Sequence, residues 1–233
     1  PRVVDGTARV LGDGILPEPL PTTARRLSAG EAPWRLASVR GVVRDMTASE
    51  RVVQIVATSE GLYFDLMLPG APGFRLPKEW VDAEVEFRGM SSPQFSASGR
   101  ANGFRFNVYS TNDIRVISTG VNAWVDRPLL SIAEAARLPE EWRMRHRIRG
   151  TVLIQRPSGV MYLDDGTGVM LVILGRFLGT GAGITGLDRE AQLPLQPGDQ
   201  IEVIGARHNW YSLVPTLIFA EYRRIGTAPL PAA

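Results

Sequence analysis

The amino-acid sequence predicts a mainly β protein of two tandem five-stranded Greek-key barrels joined by short helical linkers. Three observations predict it. β-Branched and other apolar residues fall at nearly every second position through many short runs. Gly, Pro, Asp and Ser cluster between those runs. One arrangement of closing strand, Gly turn, Pro-Leu step and helix recurs along the chain. At 233 residues, with 44% hydrophobic and 21% charged residues, composition is ordinary for a globular chain and leaves room for one large β domain or two small ones. The recurrence favours two.

That recurrence covers residues 7–27, 112–138 and 219–233, and the first two copies continue into a short helix rich in Ala, Arg and Leu. A tryptophan and a new opening strand follow each helix: Trp34 before RLASVRGVV and Trp142 before RMRHRIRGTV, 108 positions apart. Residues 1–21 are therefore read as the tail of a preceding β unit, 22–125 as the first barrel domain and 126–233 as the second. With proline at position 1 and no leader-like stretch, the chain reads as a piece of a longer one.

In the first unit residues 37–46 form the opening strand. Residues 52–58 and 62–68 form a hairpin about Ser59-Glu60-Gly61, with Leu62, Phe64, Leu66 and Leu68 on the core face and Tyr63, Asp65 and Met67 on the other. A crossing rich in Pro and Gly spans 69–78. Val81, Ala83, Val85 and Phe87 then alternate with Asp82, Glu84, Glu86 and Arg88, the clearest two-residue period in the chain. A polar loop, 91–103, leads into a last strand over 104–117. The second unit repeats the plan, with strands over 146–156, 160–165 and 169–174, a long crossing over 175–197, a type II turn at Pro197-Gly198 and a strand over 200–208. Five strands with a crossing between the third and fourth make an OB-fold-like barrel.

The pI near 9.3 invites a nucleic-acid reading, but 26 Lys+Arg against 24 Asp+Glu leave a net charge of only +2. The excess is spread evenly, 12 basic against 10 acidic residues in 22–125 and 12 against 11 in 126–233. Neither unit is a basic module of the kind that binds phosphate backbones by counterion release, so nucleic acid is not an expected partner. The absence of cysteine excludes disulfides, thiolate catalysis and Cys-bound zinc, and fits either side of a bacterial inner membrane. No apolar run approaches the roughly 20 residues that cross a bilayer.

Motifs with chemical potential read as structural. Residues 181–186 match G-x-G-x-x-G, but only a short stretch separates them from Pro194, too little for the helix of a dinucleotide site. Asp164-Asp165-Gly166-Thr167-Gly168 lacks the alternating acids and closing Glu of a calcium loop and reads as a hairpin turn. His146 and His208 lie on different strands without metal-type spacing, and no nucleophile elbow is present. No catalytic residue, metal or cofactor is therefore expected. Arg143, Arg145, Arg147 and Arg149 make a row on one side of a strand that could attract an anion or polyanion; the favoured reading is that they pair with Glu134, Glu140 and Glu141 as a solvated face.

The remaining candidates lie on the outer face around strands two and three, where this fold takes ligands. They are Arg40, Arg44, Tyr63, Asp65 and Met67 in the first unit, and Arg149, Tyr162 and Asp164 in the second. An aromatic ring beside an arginine can stack a base or a sugar.

The segments VRGVV and VDAEVEFRGM, then HRIRGTVLIQR, VMYLDDGTGVMLVIL and LQPGDQIEVIGARH, resemble the tandem OB-like repeats in the extracytoplasmic sensory regions of bacterial sensor histidine kinases and related membrane signalling proteins. That family usually carries a QDetG-type turn after its second strand and a pGd-VeVvG pattern at its fourth. Residues 161–168 keep the acid and the Thr-Gly turn without the Gln, Pro197-Gly198-Asp199 keep the second motif, and Ser59-Glu60-Gly61 replaces the acidic turn in the first unit. The resemblance implies a non-catalytic periplasmic module of a membrane-anchored, two-component signalling protein. Such a module would bind a small molecule or a partner protein, with homodimer formation through the parent chain. The residues also leave open a single-stranded nucleic-acid or oligosaccharide-binding OB protein, and a structural spacer.

Overall fold

The computed structural model describes residues 6–7, 9, 11–12, 14–70, 77–95, 98–99, 101–120, 123–139, 144–156, 159–174, 195–208 and 214–230. The protein is mainly β, as the alternation requires: strands with one apolar face must bury it, and a sheet that closes on itself does so without leaving an edge.

Strand β1 (Leu20–Pro21) lies parallel to β2 (Leu36–Ala48). β2 pairs antiparallel with β3 (Val52–Ser59), and β3 with β4 (Leu62–Pro69). After the crossing, β5 (Glu84–Phe95) pairs antiparallel with β2 and with β6 (Ala101–Asn107), while β6 lies parallel to β4. The ring β2-β3-β4-β6-β5 is a closed five-stranded barrel, and β7 (Ile114–Ser118) is added beyond β5. Val39, Val43, Ile55, Leu66, Val85, Phe87 and Phe106 fill its interior, and Phe64 stacks on Phe104 at 5.1 Å.

The hairpin forms where expected. Glu60 and Gly61 have φ of 51° and 77°, the pair of left-handed residues that a two-residue turn between twisted strands needs. Glu60 accepts that strain while its carboxylate takes the Arg25 N–H at 3.2 Å, at the start of helix α1 (Ala24–Ser28). Ala24 and Leu27 of α1 are buried in the barrel core, so this helix plugs the barrel rather than merely linking units.

Three predicted boundaries shift. β5 runs on to Phe95 and β6 starts at Ala101, so much of the polar loop expected over 91–103 is paired strand. β5 begins at Glu84 because Asp82 turns the chain with φ 66°, its N–H donating to the Val43 carbonyl at 2.9 Å. The last predicted strand is broken into β6 and β7 by residues 108–113. There the Asn112 N–H donates to Ser110 Oγ, and Asp113 accepts the Ser110 N–H at 3.1 Å, a capping box that outcompetes the sheet ladder.

Helix α2 (Ala123–Asp126), strand β8 (Leu129–Leu130) and helix α3 (Ile132–Arg137) follow. The second sheet comprises β8, β9 (Arg145–Gln155), β10 (Val160–Asp164), β11 (Val169–Leu174), β12 (Asp199–His208) and β13 (Thr216–Thr227), in the order β10-β11-β13-β12-β9-β8 with β10 also paired to β9. Its core includes Ile148, Val152, Met161, Leu163, Met170, Ile201 and Val203, together with Ile132 and Ala135 of α3. The turn Asp164-Asp165-Gly166-Thr167-Gly168 now has a structural purpose. Asp165 accepts the Ile132 N–H at 2.7 Å and Thr167 Oγ1 accepts the Ala133 N–H at 3.1 Å, so the turn caps α3 as Glu60 caps α1. Residues 181–186, with most of the crossing around them, lie outside the described residues.

Candidate functional site

A groove of about 1320 Å³ runs over the outside of the closed barrel. Its floor is set by register: Met67 of β4 and Met90 of β5 both stand opposite Asn107 of β6. The Asn107 amide donates to the Met90 carbonyl at 3.3 Å and to Ser92 Oγ at 3.2 Å, which holds the floor together. Residues 16–19 line it, and so does the break between β6 and β7, which presents Tyr109 at 85% exposure. Arg51 and Arg88 add guanidinium groups and Glu18 and Asp113 add carboxylates, so the groove is apolar at its floor and charge-balanced at its rim.

Beside the groove a cross-strand row carries Arg40 of β2, Glu86 of β5 and Arg115 of β7 at one register position. Arg115 approaches Glu86 at 3.0 Å, Arg40 at 3.7 Å and the groove-lining Arg88 at 3.8 Å. The second sheet repeats the row with Arg149 of β9, Glu202 of β12 and Arg223 of β13. Here the packing is tighter, with Arg223, Arg149 and Arg147 at 2.5, 2.7 and 2.9 Å from a carboxylate only 2% exposed. Burial alone would raise the Glu202 carboxyl. Hydrogen bonds from Arg149, Arg223 and Arg147 outweigh it and bring the pKa down to about 2.

A third cluster joins the two sheets. Asp82 takes Arg44 at 2.5 Å on one oxygen and Arg145 at 2.6 Å on the other, and Arg145 reaches Glu221 at 2.6 Å. Burial pulls the Arg44 guanidinium down from its ordinary value, with Asp82 opposing that pull. Burial acts the same way on Arg145, but Asp82 and Glu221 together raise it. Beside these charges the Tyr63 ring packs on Phe219 at 5.1 Å and on His208 at 6.3 Å.

The eight residues expected to form ligand faces thus go to separate places. Met67 lines the groove, and Asp65 stands opposite Arg105 on the same outer surface. Arg40 belongs to the first arginine row and Arg149 to the second. Arg44 and Tyr63 are spent on the junction, and Tyr162 packs against the cluster of Leu171, Ile173, Ala206 and Ile218. Asp164 accepts the Gly166 N–H at 2.6 Å within its own turn and borders, with Arg149, a small pocket of about 400 Å³. Of the acids expected to face the β9 arginines, Glu134 turns instead to Ser131 in the capping box of α3. Arg145, Arg147 and Arg149 pair with Asp82, Glu221 and Glu202, all distant in sequence, whereas Arg143, Glu140 and Glu141 lie outside the described residues. Arg51, Arg88, Met90, Asn107 and Tyr109 escaped sequence reasoning. The Ser-Thr-Asn-Asp run after Tyr109 was the one signal that the strand breaks there.

No family model matches the chain and no curated protein matches it. Solved structures do. The aspartyl tRNA synthetase from Entamoeba histolytica is 12% identical with a TM-score of 0.32, over 52% of this chain and 29% of that one. A murine DNA binding protein bound with ds DNA gives 13% and 0.31, over 84% and 99%. A replication protein A heterotrimer bound to ssDNA gives 10% and 0.30, over 81% and 48%. The chain therefore spans less than a third of the synthetase and about half of the replication protein chain, and the likeness is one of fold alone.

None of these three is a sensory region of a membrane kinase. The expected sensory module is corrected accordingly, and so is the expectation that nucleic acid is not a partner. The physical reasons are local. The acidic turn that carried the kinase resemblance caps helix α3, which speaks for local packing and not for its setting. The near-neutral charge count averages over arginines that the fold gathers around single carboxylates.

Proposed function

We propose that this chain is a non-catalytic module that binds single-stranded nucleic acid in the groove of its first barrel. The observation that carries the reading is that the exposed Tyr109, Met67 and Met90, and the guanidiniums of Arg51 and Arg88 line one groove. A base has a π-face to lay on Tyr109 and an apolar floor to cover, while its phosphates reach the flanking guanidiniums. We also read the second sheet as a barrel of the same kind. The pairings of β9 with both β10 and β12, and of β13 with both β11 and β12, support a tandem pair.

The test is fluorescence anisotropy with a labelled single-stranded oligonucleotide. Tyr109→Ala is expected to weaken binding about tenfold, the lower part of the range for one stacked base. Equal affinity of wild type and variant, or no binding by wild type at low salt, refutes the reading. Charge balance at the groove rim favours a second reading, a neutral oligosaccharide. Competition by a neutral oligosaccharide together with affinity independent of salt selects that one.

A further inference from the structure

We propose that the repeated cross-strand row of one glutamate between two arginines is a phosphate-binding surface, which takes the backbone of a nucleic-acid strand outside the groove. The proposal deepens the binding reading above and rests on it.

The row sits at one register position in each sheet, Arg40–Glu86–Arg115 and Arg149–Glu202–Arg223. The positions around it differ: two residues before the glutamate stand Glu84 in one sheet and Gln200 in the other, and two after it Arg88 and Ile204. A pattern held while its neighbours change is more than a scatter of surface pairs. In each row the acid lies low and the guanidiniums stand high. Glu86 and Glu202 are 12% and 2% exposed, against 50–60% for Arg40, Arg115, Arg149 and Arg223.

A carboxylate offers about four acceptor positions and each guanidinium about five donors, so one acid does not engage every donor of two guanidiniums. In the second row hydrogen bonds at 2.7 and 2.5 Å hold the forks of Arg149 and Arg223 to Glu202, while in the first Arg115 stands 3.0 Å and Arg40 3.7 Å from Glu86 as ion pairs; a planar fork is the geometry that grips a phosphate oxygen pair. Arg88 lines the groove and also faces Glu86, so the first row continues the groove rim. Neither row contains an aromatic residue, which points to phosphate rather than base.

The experiment compares wild type, Arg40→Gln, Arg149→Gln, the double variant and Tyr109→Ala. The probes are a single-stranded oligonucleotide and inorganic polyphosphate, which has no base to stack. Each arginine substitution is expected to reduce the slope of log affinity against log salt by about 0.7, and the double variant by about 1.4. Polyphosphate affinity should fall in the double variant and stay unchanged in Tyr109→Ala. Arg40→Lys with Arg149→Lys keeps the charge but loses the fork. It should retain the slope and bind more weakly, which separates a phosphate contact from general loss of structure.

An unchanged slope with unchanged polyphosphate affinity in the double variant overturns the row and leaves the groove standing. Polyphosphate bound through the two arginines, with no oligonucleotide bound by wild type, overturns the groove and supports the row as an anion site. Neither probe bound by wild type overturns both.

Discussion

Replacing Glu202 by Gln removes one negative charge from beneath three arginines while keeping the shape of the side chain. The carboxyl pKa falls from 4.5 to about 2 in the folded protein. At about 1.4 kcal/mol per pH unit that drop is worth about 3 kcal/mol of stability at neutral pH. Arg149 and Arg223 are half-exposed, and solvent screening reduces the figure to about 2 kcal/mol. The sign follows from the depressed pKa. The contribution is present above pH ~4.5, where the unfolded carboxyl is ionised, and fades as pH falls towards ~2 and the folded carboxyl also takes its proton. Glu202→Gln should therefore lower the urea midpoint by about 1 M at pH 7, for a denaturant slope of about 2 kcal/mol per M. The gap between wild type and variant should close between pH ~4.5 and ~2. Urea titrations followed by circular dichroism at several pH values measure it. A gap near zero at neutral pH, or one that persists unchanged at pH ~2.5, refutes the idea that the arginines hold this acid ionised.

The other expectations concern the junction, the turn and the binding surfaces. Asp82→Asn keeps a residue that tolerates the left-handed backbone of this position but removes the charge that the buried Arg44 and Arg145 share; a loss of about 3 kcal/mol in denaturant unfolding is expected, and a loss below ~1 kcal/mol would show the pairing to be inessential. Asp165→Asn weakens the cap of α3. Burial would raise the Asp165 carboxyl, but hydrogen bonds from the Thr167 hydroxyl and the N–H groups of Ile132 and Thr167 lower it. Its contribution of about 1 kcal/mol is accordingly present above the unfolded carboxyl pKa and lost on acidification, read as a melting-temperature difference that shrinks at low pH. Tyr109→Ala, and the paired substitutions at Arg40 and Arg149, read binding through affinity and its salt slope as described above.

Much of the barrel was legible in the amino-acid sequence because side-chain alternation is a local property. Phe64, Leu66 and Leu68 face the core, and Tyr63, Asp65 and Met67 face outward, as the two-residue period dictates. Glu60-Gly61 turns the chain because one residue tolerates, and the other favours, a left-handed backbone. Of the places where the chain bends away from expectation, 108–113 is set by short polar side chains competing for backbone groups, and Asp82 by a left-handed residue whose own N–H bonds to the Val43 carbonyl.

What an outward-facing residue does was decided by the tertiary structure. Arg40 and Arg44 share a strand, yet one stands in an open row and the other is sealed against Asp82, 38 positions away. Arg145 meets Glu221 across 76 positions, and Tyr63 meets Phe219 from the other sheet. The groove likewise needs Met67, Met90 and Tyr109 from three separate segments. The period of a strand says which way a side chain points but carries no information about what the fold places in front of it. Closure of the barrel and the approach of the second sheet supply that information, and with it the difference between a buried ionic junction and an exposed binding surface.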